Sequence, residues 1–197
     1  MIHPKISEFV GNENSRNKVV QWLVKWSDRS KPLLLVGPPG VGKTSFVHAL
    51  CREFDIDLIE LNASDTRNKN LLTQVILPIF SNASLTGKNF LLFLDEIDGI
   101  SNREDTGGLD FLLDIFKEPS IRVVMAANKS NEAIKKISKV TKTITFSPIP
   151  PRLSMLYLDR ILRLQKSSMK LEHRIVVVRN CFGDIRSLLN SAQVMKA

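Results

Sequence analysis

The sequence predicts an α/β protein built on a parallel sheet, and three observations carry that prediction. Apolar runs at 31–36 (KPLLLV), 90–94 (FLLFL) and 121–127 (IRVVMAA) are continuous rather than alternating. Such runs mark strands covered on both faces. Segments of helical pattern separate them, which implies right-handed crossovers between parallel strands. The first run also ends in a glycine-rich stretch that opens a helix.

Taken in order, KPLLLV is a buried strand closed by Gly37. A helix is expected from Gly42 to about Phe54, then a second strand from Asp57 to Leu61. Leu71 to Phe80 is helical in pattern, with Pro78 expected to distort or end it. FLLFL is the third strand, closed by acidic residues. Leu109 to Phe116 reads as a helix stopped near Pro119, and 121–127 is the fourth strand. Thr141 to Phe146 alternates and is the fifth. Pro148, Pro150 and Pro151 then make a stiff linker.

Beyond the linker the chain reads as all-helical. Leu153, Tyr157, Ile161 and Leu164 are expected on one helix face. A second helix is expected over Glu172 to Cys181, and a third from Gly183 to about Val194. The division is therefore an α/β domain at 1–147 and a small helical lid at 148–197.

Composition narrows the class. The 197 residues are 43% hydrophobic, ordinary for a globular protein. No apolar run has the length to span a bilayer, and Met1 to Phe9 lacks a signal-peptide core. Cys51 and Cys181 lie far apart and match no zinc spacing, so they read as reduced thiols of an intracellular protein. The net charge of +8 is uneven: −2 through Asn128 and +10 from Lys129 onward. That skew points to a polyanion partner, the alternative being a solvated basic surface.

Gly37-Pro38-Pro39-Gly40-Val41-Gly42-Lys43-Thr44 fits G-x-x-x-x-G-K-[ST], the pattern of a loop whose backbone N–H groups cradle phosphates. The helix behind it points its positive end at them. Pro38, Pro39, Gly40, Val41, Gly42, Lys43, Thr44 and Ser45 are the expected nucleotide contacts, the ligand being ATP with Mg2+. Lys43 would reach the β- and γ-phosphates, and Thr44 would hold the metal. Asp95-Glu96-Ile97-Asp98 ends the third strand. There Asp95 would orient the magnesium shell and Glu96 would polarise the attacking water. Asn128 ends the fourth strand, where a neutral amide can position that water or meet the γ-phosphate. Arg186, at the start of the last lid helix, can fold down on the same phosphate.

Together these motifs resemble the AAA+ ATPases, with Asn128 and Arg186 at the positions called sensor 1 and sensor 2. The resemblance implies a five-stranded parallel sheet in the order 5-1-4-3-2, a helical lid, and adenine packed on Val10-Gly11. Two segments narrow it. Residues 60–69 (ELNASDTRNK) look like the clamp-loader form of the stretch after strand two, and 95–108 (DEIDGISNREDTGG) is similar to the large-subunit type of the replication factor C family. That implies an ATP-driven subunit that opens a ring-shaped sliding clamp and sets it on primer–template DNA, alongside small clamp-loader subunits. It would lie in the cytoplasm of an archaeon or the nucleus of a eukaryote. Ser138-Lys139-Val140 departs from the Ser-Arg-Cys of small subunits, so the arginine that acts on a neighbour's ATP is missing. The helical collar of that family is also missing from these residues, so the chain is expected to be a fragment or to assemble unusually.

Gln74 to Phe80 has the spacing of a clamp-binding peptide, making Ile76, Leu77 and Phe80 candidate clamp contacts. An ordinary buried helix end is the alternative. Arg67, Lys69 and Arg103 are candidate DNA-phosphate contacts. The stripe Arg160, Arg163, Lys166, Lys170 is either a solvated face or a contact with a neighbouring subunit. Other readings are a checkpoint-type loader, an origin initiator, and a scaffold that uses ATP only as a switch. Without an arginine donated by a neighbour, hydrolysis by the chain alone is expected to be weak.

Overall fold

The computed structural model describes residues 5–62, 74, 76, 78, 89–99, 108–117 and 121–195. Five parallel strands form one sheet: β1 (Leu33–Val36), β2 (Asp57–Asn62), β3 (Phe90–Asp95), β4 (Arg122–Ala127) and β5 (Lys142–Thr145). Their order is β2-β3-β4-β1-β5, the expected order read from the other edge. The described helices are α1 (Glu13–Val24), α2 (Lys43–Glu53), α3 (Gly108–Ile115), α4 (Glu132–Val140), α5 (Pro151–Leu164), α6 (Leu171–Asn180) and α7 (Ile185–Val194).

The strand pleat sorts the apolar runs onto two faces. Leu34, Leu92, Leu94, Val123 and Met125 point to one side, where α3 supplies Leu112 and α4 supplies Ala133, Ile134 and Ile137. Leu33, Leu35, Leu91, Phe93, Val124 and Ala126 point to the other, against Val19, Trp22 and Leu23 of α1 and Phe46, Val47 and Leu50 of α2. This double cover explains why the central runs lack polar positions. Each such leucine contributes about 2 kcal/mol by leaving water. The edge strands β2 and β5 are half exposed and correspondingly more polar.

The first strand begins later than expected. Trp22 Nε1 donates to the Lys31 carbonyl at 2.9 Å, so that carbonyl serves as the anchor of α1. Helix α1 itself was not anticipated, because Glu13–Val24 is mostly polar and buries only Val19, Trp22 and Leu23.

The last three helices enclose a small core of their own, made of Leu158, Leu162, Val177, Val178, Cys181, Leu188 and Ala192. The buried stripe of α5 is Ser154, Leu158 and Leu162, one position on from the expected face. Leu153, Tyr157 and Ile161 flank it half-buried, and Leu164 is 70% exposed. Packing against α6 and α7 sets the rotation of α5, and Tyr157 is thereby turned towards the cleft described below.

Candidate active site

The C-terminal ends of β1, β3 and β4 carry the expected motifs to one place. Parallel register sets Val36 beside Ala127 and Leu94 beside Met125, so the residues that follow them are neighbours. The loop after β1 leaves the sheet with Gly37 N–H donating to the Ala127 carbonyl at 3.2 Å. Only glycine fits at Gly37, because a Cβ there would stand 2.1 Å from the Phe146 carbonyl oxygen.

Lys43 opens α2 and is 5% exposed. Its Nζ donates to the carbonyls of Gly37 at 2.7 Å and Pro38 at 2.9 Å, and to Asn128 Oδ1 at 2.9 Å. Burial pushes its ammonium below the ordinary lysine range; Asp95 and Asp98 pull it back up, and Arg186 pushes it further down. Thr44 Oγ1 donates to Asp95 Oδ2 at 2.7 Å. Asp95 Oδ1 accepts from the Glu96 N–H at 2.8 Å, and Glu96 turns the chain with φ +52°, an uncommon conformation for a residue with a Cβ. The turn leaves the Glu96 side chain exposed.

Lys43, Thr44, Asp95, Glu96 and Asn128 line one cleft of about 440 Å³, with Val10, Pro39, Gly40, Val41, Gly42, Ser45 and Arg186 also on its walls, whereas Pro38, an expected contact, does not line it. The expected residues from the loop, strand ends and lid therefore converge. Gly11 is adjacent, held by Arg16, whose Nε donates to its carbonyl and whose Nη1 donates to the Ile6 carbonyl, both at 3.0 Å. The cleft also takes Glu8, Phe9, Tyr157, Ile185 and Leu189, none of which the motifs indicated. Phe9 packs edge-on to Phe46, which fixes that wall. Arg160 Nη2 meets Glu8 Oε1 at 2.7 Å, joining the lead-in segment to α5 beside the cleft. No local pattern announces these residues, since they come from segments far apart in the chain.

The remaining candidates fare differently. Ile76 is fully buried in the core beneath the sheet, so its side chain is packed inward rather than presented on the surface. Gln74, Ile76 and Pro78 are helical. Leu77, Phe80, Arg67, Lys69 and Arg103 lie outside the described residues. In the lid stripe Arg160 is taken up by Glu8, whereas Arg163, Lys166 and Lys170 are exposed. No helix among the described residues is long and apolar enough to cross a membrane.

The chain is 35% identical to the replication factor C large subunit of Thermofilum pendens over 96% of its own length, and 33% identical to that of Aeropyrum pernix over 98%. It spans 47% and 41% of those relatives, about half their length. Its fold is shared with the Thermotoga maritima RuvB Holliday junction branch migration motor (TM-score 0.72, 16% identity, 98% of this chain and 64% of that one). It is also shared with domain III of the Thermotoga maritima replication initiation protein DnaA (TM-score 0.67, 16% identity, 98% and 86%). The family model for the ATPase family associated with various cellular activities matches residues 33–148, from the first strand of the sheet to the linker, and the chain belongs to that AAA family.

Proposed function

We propose that this chain is the ATP-binding and ATP-hydrolysing part of a sliding-clamp loader subunit of the replication factor C large-subunit type. The observation that carries the proposal is the match, along nearly the whole chain, to relatives of that one name. Small clamp-loader subunits, a ring-shaped clamp and primer–template DNA are the proposed partners. The division at 147/148 is proposed to separate the nucleotide-binding domain from a lid that closes on it.

The cleft supports the chemistry. Its apolar lining, with Phe9, Val10, Ile185 and Leu189, suits a base, and its cationic lining, with Lys43 and Arg186, suits a polyphosphate. Thr44 Oγ1 and Asp95 Oδ2 are hard oxygen donors 2.7 Å apart, a pair that fits Mg2+. Among the described residues no cluster of three metal-binding side chains stands ready, so phosphate oxygens would complete the shell. When bound, the ion neutralises charge that develops on the phosphates. Glu96 takes a proton from the attacking water, Asn128 orients it, and Arg186 meets the terminal phosphate from the lid.

Turnover of the chain alone should be slow. It should rise at least tenfold on adding small clamp-loader subunits, clamp and primer–template DNA. Turnover indifferent to all three would reject the clamp-loader reading and leave the ATPase in place.

A further inference from the structure

Asp98 stands two residues past Glu96 in the short turn Ile97–Gly99, yet it does not line the cleft. Its Oδ1 accepts the backbone N–H of Asn128 at 2.9 Å. Its carbonyl accepts from Asn131 Nδ2 at 3.0 Å. Asn131 caps α4, its Oδ1 accepting from the Ile134 N–H at 2.8 Å. One residue thus fastens both ends of the connection 128–131 between β4 and α4. The turn that carries Asp98 is itself held by Ile97, which is fully buried against Ala133, Ile134 and Ile137.

Asn128 follows the last residue of β4, so strand pairing no longer fixes its backbone. A carboxylate accepting its N–H is a charge-assisted bond, stronger than a neutral one. The direction of the Asn128 side chain follows from that backbone, and its Oδ1 meets Lys43 Nζ at 2.9 Å. We propose that Asp98 is a positioning residue: through the Asn128 N–H it aims the Asn128 amide into the cleft, and through Asn131 it makes that amide and the start of α4 one unit. The proposal rests on the nucleotide reading of the cleft.

The test measures the affinity of the chain for AMP-PNP and for ADP, each with Mg2+, by calorimetry. Wild type, Asp98→Ala, Asp98→Asn, Asn128→Ala and the Asp98→Ala/Asn128→Ala double variant are compared. Asp98→Ala is expected to weaken AMP-PNP about fivefold to tenfold while ADP stays within about twofold. Asp98→Asn keeps an acceptor oxygen and is expected to retain the preference for the triphosphate. The double variant should match Asn128→Ala, since Asp98 acts through it. Equal weakening of both nucleotides, an unchanged preference in Asp98→Ala, or additive losses would overturn the proposal. If Asp98→Ala does not fold, Asp98→Glu moves the carboxylate while keeping its charge; it is expected to lose the preference, and full retention would overturn the proposal. A wild-type chain that binds neither nucleotide overturns the nucleotide reading itself, a result distinct from a wild-type preference that survives in Asp98→Ala.

Discussion

The backbone N–H of Ile185 donates to the carbonyl of Gly40 at 3.0 Å, so the last lid helix is bonded directly to the phosphate loop. Asp184 reinforces the contact. It caps α7 by accepting from the Ser187 N–H at 2.8 Å, and its carboxylate lies where a Cβ on Gly40 would be, 1.7 Å away.

Gly40→Ala tests that contact. Gly40 has φ +69°, where an alanine costs about 1–2 kcal/mol. Displacing Asp184 from its cap adds about 1 kcal/mol. Urea unfolding should show a loss of about 2 kcal/mol or more, with weaker ATP binding as the lid shifts. An unchanged midpoint and affinity would show that loop and lid are not coupled there.

The Glu8–Arg160 pair predicts a kinetic effect. Its 2.7 Å contact links two segments that both border the cleft. Glu8→Arg or Arg160→Glu alone should raise the dissociation rate of a fluorescent ATP analogue about threefold to tenfold in stopped flow. The double swap should restore it. Raised salt should mimic the single variants in part, since both side chains are solvent-accessible. Single swaps that leave the rate unaltered would remove the pair from any gating role.

Glu96→Gln separates binding from chemistry. The side chain is exposed at the cleft wall. Loss of a general base typically costs about 100-fold or more in rate. Turnover should fall by that amount with ATP affinity within about threefold. Turnover within a few-fold of wild type would assign the proton transfer elsewhere.

Cys51 predicts a pH dependence. Its side chain is buried in the core under α2, and burial pushes its thiol up to about 11. The raised value means that, between the unfolded thiol's pKa and the folded one, the native state binds more protons than the unfolded state. The contribution to stability is therefore complete below about pH 8.5 and falls as pH rises towards 11. In Cys51→Ala this loss should be absent, so the wild-type advantage over the variant should shrink by about 2 kcal/mol between pH 8 and pH 10.5. Urea titrations of both proteins at pH 8 and pH 10.5 read it out; parallel curves would refute it.

The sheet was legible because both its faces are covered, which writes strands as unbroken apolar runs. The phosphate loop was legible because its chemistry demands glycines and a lysine at fixed spacing. Helix α1 was not, since only Val19, Trp22 and Leu23 are buried along it, too few to set a helical period. The α5 face was misread by one position because Tyr157 and its neighbours border the cleft as well as the lid core, so apolar residues stand on more than one side. Glu8, Arg16 and Tyr157 were invisible for a different reason: their partners are distant in sequence or are backbone carbonyls, which leave no pattern. Asp98 stood inside a recognised motif, but its partner, the Asn128 N–H, exists only once β3 and β4 are side by side.

The bond between Lys43 and Asn128 has a consequence for how a message leaves the cleft. An anion that draws Lys43 Nζ towards itself takes a donor away from the side-chain Oδ1 of Asn128, besides the backbone carbonyls of Gly37 and Pro38. The asparagine then registers the anion twice, by what it gains and by what it loses. Such a readout works by subtraction as well as by touch, and it would persist for a ligand too short to reach the asparagine at all.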